Sequence, residues 1–348
     1  LSKTVKKLFV SIVCALAVIS AVGQTQKHAT IAFTGDIMMG TTYPSVELPS
    51  HEGRQLFVDA TPILSRADVA AGNLEGTLCD SGQTHKKISR VCYAFRTPTM
   101  FAPRLKEAGF DYLGMANNHA HDFGNEGILS TMACLDRIGI KHSGIRGIGP
   151  ECAIVSRGGR TYGFCSFGHN EYTLRHQDLE TVRRIITYLV NRCDYVVVGF
   201  HGGAEGAKAA RLPQGREIFC GEDRGSLRSF AHFCIDAGAD VVFGHGPHVA
   251  RAMELYKEHL IAYSLGNFCT PYGISLSGIS GYAPLLEVWL DSVGRFAGGR
   301  IHSFLQQRGK GPRLDSSHRA AQEIRRLTQL DFPQGHLQIT SEGVLSKK

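Results

Sequence analysis

The sequence predicts an α/β protein. Short, continuously apolar runs alternate with helix-like segments, the pattern of strands and helices packed in layers. The runs are ATIAFT (29–34), ADVAAG (67–72), FDYLGM (110–115), YVVVGF (195–200), DVVFG (240–244) and LIAYS (260–264). Because apolar and polar residues do not alternate within them, these strands are expected to be buried on both faces. Each run is also followed at once by polar or charged residues, and in open α/β sheets ligands collect beyond the carboxyl ends of strands.

Taken in order, the first run leads to Asp36 in FTGDIMMG and the second to Asn73 and Glu75 in AGNLEGT. The third leads to Asn117, Asn118, His119 and Asp122 in GMANNHAHDFG, and the fourth to His201 and Glu205 in GFHGGAEG. The fifth leads to His245 and His248 in VFGHGPHV, and the sixth to Asn267 in YSLGNF. Helices are expected at 99–108, 124–138, 178–190 and 224–237, a Gly/Ser-rich loop at 271–281 and a last strand at 284–290. Beyond Gly298 the chain turns polar, with a basic helical stretch at 319–330, and residues 299–348 are expected to form a polar, basic appendage.

Composition sets the outer limits. Of 348 residues 43% are hydrophobic and 20% charged, a globular balance that excludes a disordered chain, a coiled coil and a multispan membrane protein. Lys3, Lys6 and Lys7 precede the uncharged stretch 8–22, and Ala21-Val22-Gly23 offers small residues for cleavage, so residues 1–23 are expected to be a signal peptide. Fifteen uncharged residues are short for a span of about 20. Losing that leader removes three lysines and lowers the net charge from +7 to +4, which gives no footprint for nucleic acid. The expected location is extracytoplasmic, where disulfides persist. Cys79 and Cys92, flanking a polar loop, are the expected pair, while Cys165, Cys193 and Cys234 lie in or beside apolar runs as free thiols.

One Asp after a strand is usually a turn or cap residue, and one His is usually on the surface. Carboxylates, an amide and several imidazoles at matching strand ends suit a pair of divalent transition metals, Mn, Zn or Fe. A bridging carboxylate holds such a pair about 3.5–4 Å apart. Glycines beside these residues, such as Gly35 and Gly246, permit close backbone approach. Asp122 either orients His119 or caps the following helix. Arg96 and Arg251 are candidates for binding an anionic substrate, because guanidinium matches carboxylate and phosphate. Glu205 is a candidate pocket residue, and Asn267 a candidate anchor of the last loop at the site's edge. Arg211 reads as a surface charge.

The motifs FTGDIMMG, GNLEGT, ANNHAHDFG, FHGGAEG, GHGPHV and YSLGNF together resemble the CapA (PgsA-like) poly-γ-glutamate capsule proteins of the calcineurin-like metallophosphoesterase superfamily. The resemblance covers residues 30–289. It implies a four-layer α/β/β/α sandwich spanning 24–298, with the site at one sheet edge. Asp36 would bind a first metal and Glu75 would bridge two. Asn118, His201 and His245 would bind the second metal, His248 the first, and His119 would be the catalytic acid. The superfamily's usual Asp-x-His pair is interrupted, because Met38 stands where the His would be. The resemblance further implies hydrolysis or transfer at an anionic phosphoester or γ-glutamyl substrate, with capsule-synthesis membrane partners. A non-catalytic role in binding or exporting the polymer is the alternative.

Overall fold

The computed structural model describes residues 28–84, 86 and 92–348. The expected signal peptide and part of the 79–92 loop lie outside the described residues. Among the described residues no helix is long and apolar enough to cross a membrane.

Two sheets stack face to face. The first runs, in spatial order, Leu337–Ile339, Val344–Lys347, Phe296–Gln307, Tyr282–Leu290, Ala29–Ile37, Val69–Leu74, Tyr112–Gly114 and Lys141–Ser143. The second runs Met253–Tyr256, His259–Ala262, Val241–His245, Tyr195–His201, Arg160–Phe167 and Ala153–Arg157. The strands from Ala29–Ile37 to Lys141–Ser143 pair in parallel, as do those from His259–Ala262 to Arg160–Phe167. Their carboxyl ends therefore gather along one rim.

Side-chain alternation along each strand builds three packed interfaces. Ile31, Phe33, Val69 and Ala71 of the first sheet face Phe164, Val197, Val241 and Phe243 of the second. The Phe33 and Phe243 rings meet with centroids 4.7 Å apart. Ala32, Ala70 and Leu113 point the other way, onto Leu105 of the helix Ala102–Ala108 and Ile128 and Leu135 of the helix Gly124–Arg137. On the far side Val196, Val198 and Val242 meet Ile185 and Leu189 of Leu179–Val190, and Phe230 and Cys234 of Leu227–Asp236. This is the α/β/β/α sandwich that the resemblance implies.

The six expected strands are present, and the structure adds others. Arg160–Phe167 was not expected, although TYGFCSF is an apolar run of the same kind. The C-terminal reading needs correction. Residues 299–348 are not an appendage, because the strand Phe296–Gln307 crosses the expected boundary and pairs along the whole of Tyr282–Leu290. The helix Arg319–Asp331 buries Ala320, Ala321, Ile324 and Leu327. Alternating burial makes this strand look polar in sequence, since only every second residue or so faces the core. The expected Cys79–Cys92 bridge is also absent, and both residues are free thiols. Cys79 Sγ lies 3.2 Å from Thr77 Oγ1, and its side chain packs with Ala94 and Phe123.

Candidate metal centre

Asp36 stands at the end of the strand Ala29–Ile37, where its N–H donates to Gly266 O at 2.8 Å. A Cβ on Gly35 would lie 2.0 Å from that same carbonyl, so only glycine lets the two segments meet. Glu75 follows Val69–Leu74, and its N–H donates to Ile37 O at 2.9 Å. His248 reaches in from the second sheet's loop with φ of +57°, a conformation that costs a non-glycine residue energy and is found where side-chain aim matters.

These elements bring Asp36, Glu75 and His248 together, with ligand atoms all within 4.8 Å of one another. His248 Nδ1 is 3.3 Å from Asp36 Oδ2, and its Nε2 is 3.6 Å from Glu75 Oε1. His119 Nε2 and His201 Nε2 each stand 4.0 Å from that same Glu75 oxygen. Asn267 Oδ1 lies 2.9 Å from His248 Nδ1, and Asn267 Nδ2 donates to His248 O. Asn267 therefore steadies His248 rather than only the loop.

Asp36 and Glu75 are fully buried. Yet Asp36 Oδ2, both Glu75 oxygens, Asn118 Oδ1 and His201 Nε2 have no hydrogen-bond partner among the described residues. Buried carboxylate oxygens without donors are costly unless a cation meets them. Burial, followed by the neighbouring Asp36, raises the Glu75 carboxyl well above its usual range. Burial alone would lower His248, but the Glu75 and Asp36 carboxylates overcome it and raise it to about 10. Its imidazolium is thus the positive charge between the two acids. His201 is held well below its usual value, first by burial and then by neighbouring His169.

The donor set fits a divalent transition metal: carboxylate and amide oxygens with imidazole nitrogens, turned inward and unmatched. Asp36, Glu75 and His248 would hold one ion. Asn118 and His201 offer unmatched atoms for a second, and Glu75 is the shared neighbour. His245 departs from its expected place. Its Nδ1 faces Phe200 O at 3.2 Å and its Nε2 faces Thr34 O at 3.1 Å. With both ring nitrogens on main-chain carbonyls, it presents no free lone pair to this cluster. Met38, which stands where the resemblance would place a His, is buried.

His119 is oriented by Asp122. Its Nδ1 is 2.8 Å from Asp122 Oδ2, which also accepts the Phe95 N–H at 2.7 Å. Lys86 pairs with the same carboxylate and donates to Asn118 O at 2.9 Å. Burial raises Asp122, but His119 and Lys86 outweigh it and the carboxyl lies below its usual value. Burial lowers His119 against the pull of Asp122. A neutral His119 therefore gives its Nδ1 proton to the Asp122 bond, and its Nε2 points toward Glu75. The capping alternative for Asp122 is not seen, because the helix Gly124–Arg137 starts at Phe123 with no side-chain cap.

A relay of amides ties the two sheet-edge loops together. The His119 N–H donates to Asn117 Oδ1, and Asn117 Nδ2 donates to Leu74 O and to Asn73 Oδ1. Asn73 Nδ2 then donates to Asp36 Oδ1 at 2.8 Å, which leaves Asp36 Oδ2 for the cluster. The fixed donors and acceptors along this chain set both amide orientations.

Two expected substrate residues do not face the cluster. Arg251 is fully buried, with both ends of its guanidinium on the Glu217 carboxylate and further bonds to Ala209 O and Ala204 O. Arg96 donates to Thr42 Oγ1 and Gly82 O and lies over the Tyr43 and Phe123 rings, so it props a neighbouring loop. Glu205 is at the rim: it accepts from Arg224 at 3.1 Å, and its charge acts on Glu75 and His248. Arg211 pairs with Asp331 at the surface. Sequence reasoning gave no role to Asn73, Asn117, Lys86 or His169. For His169 the signal was present, since it follows the uncounted strand Arg160–Phe167 by two residues.

The capsule biosynthesis protein CapA of Bacillus anthracis is 28% identical over 273 residues, covering 70% of this chain and 60% of that protein. The PGA biosynthesis protein CapA of Bacillus subtilis is 28% identical over 257 residues, covering 70% and 63%. The chain thus spans less than two thirds of either relative's length. A crystal structure described as a hypothetical protein from Thermus thermophilus shares the fold, with a TM-score of 0.51 at 18% identity over 79% of this chain and 99% of that one. The family described as bacterial capsule synthesis protein PGA_cap matches residues 30–272, so the chain, whose site residues from Asp36 to Asn267 all fall inside that match, belongs to this family.

Proposed function

We propose that the protein is a divalent-metal-dependent hydrolase of capsule or surface-polymer metabolism. Its substrate is an anionic phosphoester or γ-glutamyl bond, and it acts outside the cytoplasm. The observation that carries this is the buried Asp36–Glu75 pair, with three of its four oxygens unmatched and three imidazoles around Glu75 Oε1. Cations held there would supply Lewis-acid polarisation of the scissile group. The chain's own part is separable. Asn118 and His201 orient the bound group, and His119, whose Nδ1–H is held by Asp122, takes a proton at Nε2 from the attacking water and then passes it to the leaving atom. The resemblance to capsule proteins points to poly-γ-glutamate as the polymer and to membrane-embedded synthesis partners. The basic, then apolar, start of the chain supports export.

A second reading is a polymer-binding accessory without turnover. It is favoured by Met38 in place of a ligand and by His245 turned to main-chain carbonyls. One experiment separates them: metal analysis of the purified protein, then a screen over phosphomonoesters, phosphodiesters and γ-glutamyl peptides. The hydrolase reading expects at least one transition metal per chain, and turnover lost in both His201→Ala and His119→Ala. Full activity in metal-free protein would sink it. Polymer binding that survives His119→Ala, with no turnover by the wild type on any substrate, supports the accessory.

A further inference from the structure

The strand Arg160–Phe167 runs parallel to Tyr195–His201, with Phe167 opposite Phe200. His169, two residues on, reaches the sheet edge that carries His201. The two rings lie 24° from parallel with centroids 6.4 Å apart. The His169 side chain is 3% exposed, and the His201 main chain and Glu222 lie near it, yet neither ring nitrogen meets a partner in good hydrogen-bond geometry among the described residues. Glu222 Oε2 stands 3.5 Å from its Nε2, but that oxygen is also 2.9 Å from Arg224 Nε. An imidazole always carries at least one N–H, and a buried donor left unmatched is rare in folded proteins.

The surroundings fix which way His169 can act. Behind it, His176 is wedged between backbones: a Cβ on Gly202 would lie 3.0 Å from His176 Nε2, and one on Gly225 2.4 Å from its Cε1. That side is filled. Arg224, itself buried, is held in place by Glu205 and Glu222. Glu205 links this wall to the metal centre, because its charge reaches Glu75 and His248. At Asp36, Glu75 and Asn118 the unmatched atoms are oxygens, the complement of a cation. At His169 both ring nitrogens are unmatched, and the one that carries the proton is the complement of an oxygen.

We propose that His169 forms a subsite beside the metal centre and hydrogen-bonds an anionic oxygen, carboxylate or phosphate, of the molecule bound there. Arg224, paired with Glu205 and Glu222, forms the adjoining wall. This rests on the functional reading above and adds to it a residue outside the family-like motifs.

The test is binding rather than turnover. Wild type, His169→Gln and His169→Phe, each checked for an unchanged melting curve, are titrated with Mn2+. They are then titrated with inorganic phosphate and with a γ-glutamyl dipeptide, with and without Mn2+. Mn2+ affinity is expected to agree within about twofold across the three proteins, while His169→Phe weakens one of the two anions about tenfold or more. His169→Gln, whose amide still donates, loses less. The probe that responds distinguishes phosphate from carboxylate. Unchanged binding of both probes overturns the proposal, as does a wild type that binds neither. A parallel loss of Mn2+ overturns it too, because His169 would then only prop the cluster. A wild type that takes no Mn2+ defeats the metal reading alone, and the metal-free titrations still judge His169.

Discussion

Two of the buried charged groups in this molecule are built in opposite ways. Arg251 and Glu217 form a closed pair: both carboxylate oxygens meet the guanidinium, Ala204 N–H donates to Glu217 Oε2, and two carbonyls take two more guanidinium donors. At Asp36 and Glu75 two carboxylates sit side by side, three of their oxygens lack a donor, and one imidazolium stands between them. Both carboxylate groups are buried. Only the second leaves valence for something that is not protein, and that difference marks a site more reliably than burial or charge alone.

The largest expected effect breaks the open cluster. Glu75→Gln removes the shared carboxylate, so Mn2+ or Zn2+ binding should fall by about a hundredfold or more, measured by titration of metal-stripped protein. The same variant should melt no lower than wild type in chelator, because it removes a buried charge that lacks donors. Undiminished metal affinity in Glu75→Gln would remove the basis of the hydrolase reading. The mirror experiment breaks the closed pair. Arg251→Met leaves Glu217 buried without its partner and should cost about 3–5 kcal/mol in denaturant unfolding, with metal affinity per folded molecule unchanged. Replacing Glu217 by Leu as well should restore much of the loss. A stable Arg251→Met with altered metal binding would return Arg251 to the site.

Much of this was legible in the sequence because strand ends are local. Asp36, Glu75, His119 and His201 each follow an apolar run, and parallel register carries them to one rim. What was not legible depends on where a side chain turns. His245 and His201 occupy paired positions on neighbouring strands, yet only His201 faces Glu75, while His245 meets Thr34 O from the other sheet. Arg251, three residues beyond His248, looks as available as any arginine in a motif. Its burial depends on Glu217, 34 positions away. Asn73 and Asn117 stood among the strand-end residues without a role, because an amide that relays hydrogen bonds has no spacing of its own to betray it. The polar strand Phe296–Gln307 was lost to alternation and His169 to an uncounted strand.

The amide relay offers a smaller test. Asn73 alone fixes Asp36 Oδ1 from the side, so Asn73→Ala should let that carboxylate rotate and weaken metal binding about 10–100-fold. The His119–Asp122 bond lies on another loop and should persist, visible as an unchanged downfield imidazole proton by NMR. If metal affinity does not move, Asp36 is held by its backbone alone and the relay is packing.

The smallest effect comes from a carboxylate between the two extremes. Asp240 accepts one main-chain donor, Val196 N–H at 2.7 Å, and has His259 Nδ1 only at 3.9 Å. Burial raises its carboxyl to about 7. A raised folded value means that the folded state prefers the protonated form. The stability it contributes is fully present below about pH 4, the unfolded value, and is lost as pH rises through about 7. Asp240→Asn keeps an oxygen for Val196 N–H and cannot ionise. The variant's melting temperature should therefore gain on wild type between about pH 4 and 7 and keep that advantage at higher pH. Parallel curves would show that water already solvates this oxygen. In that case an unmatched buried carboxylate elsewhere in this fold would be cheap, and the contrast drawn at Asp36 and Glu75 would lose its force.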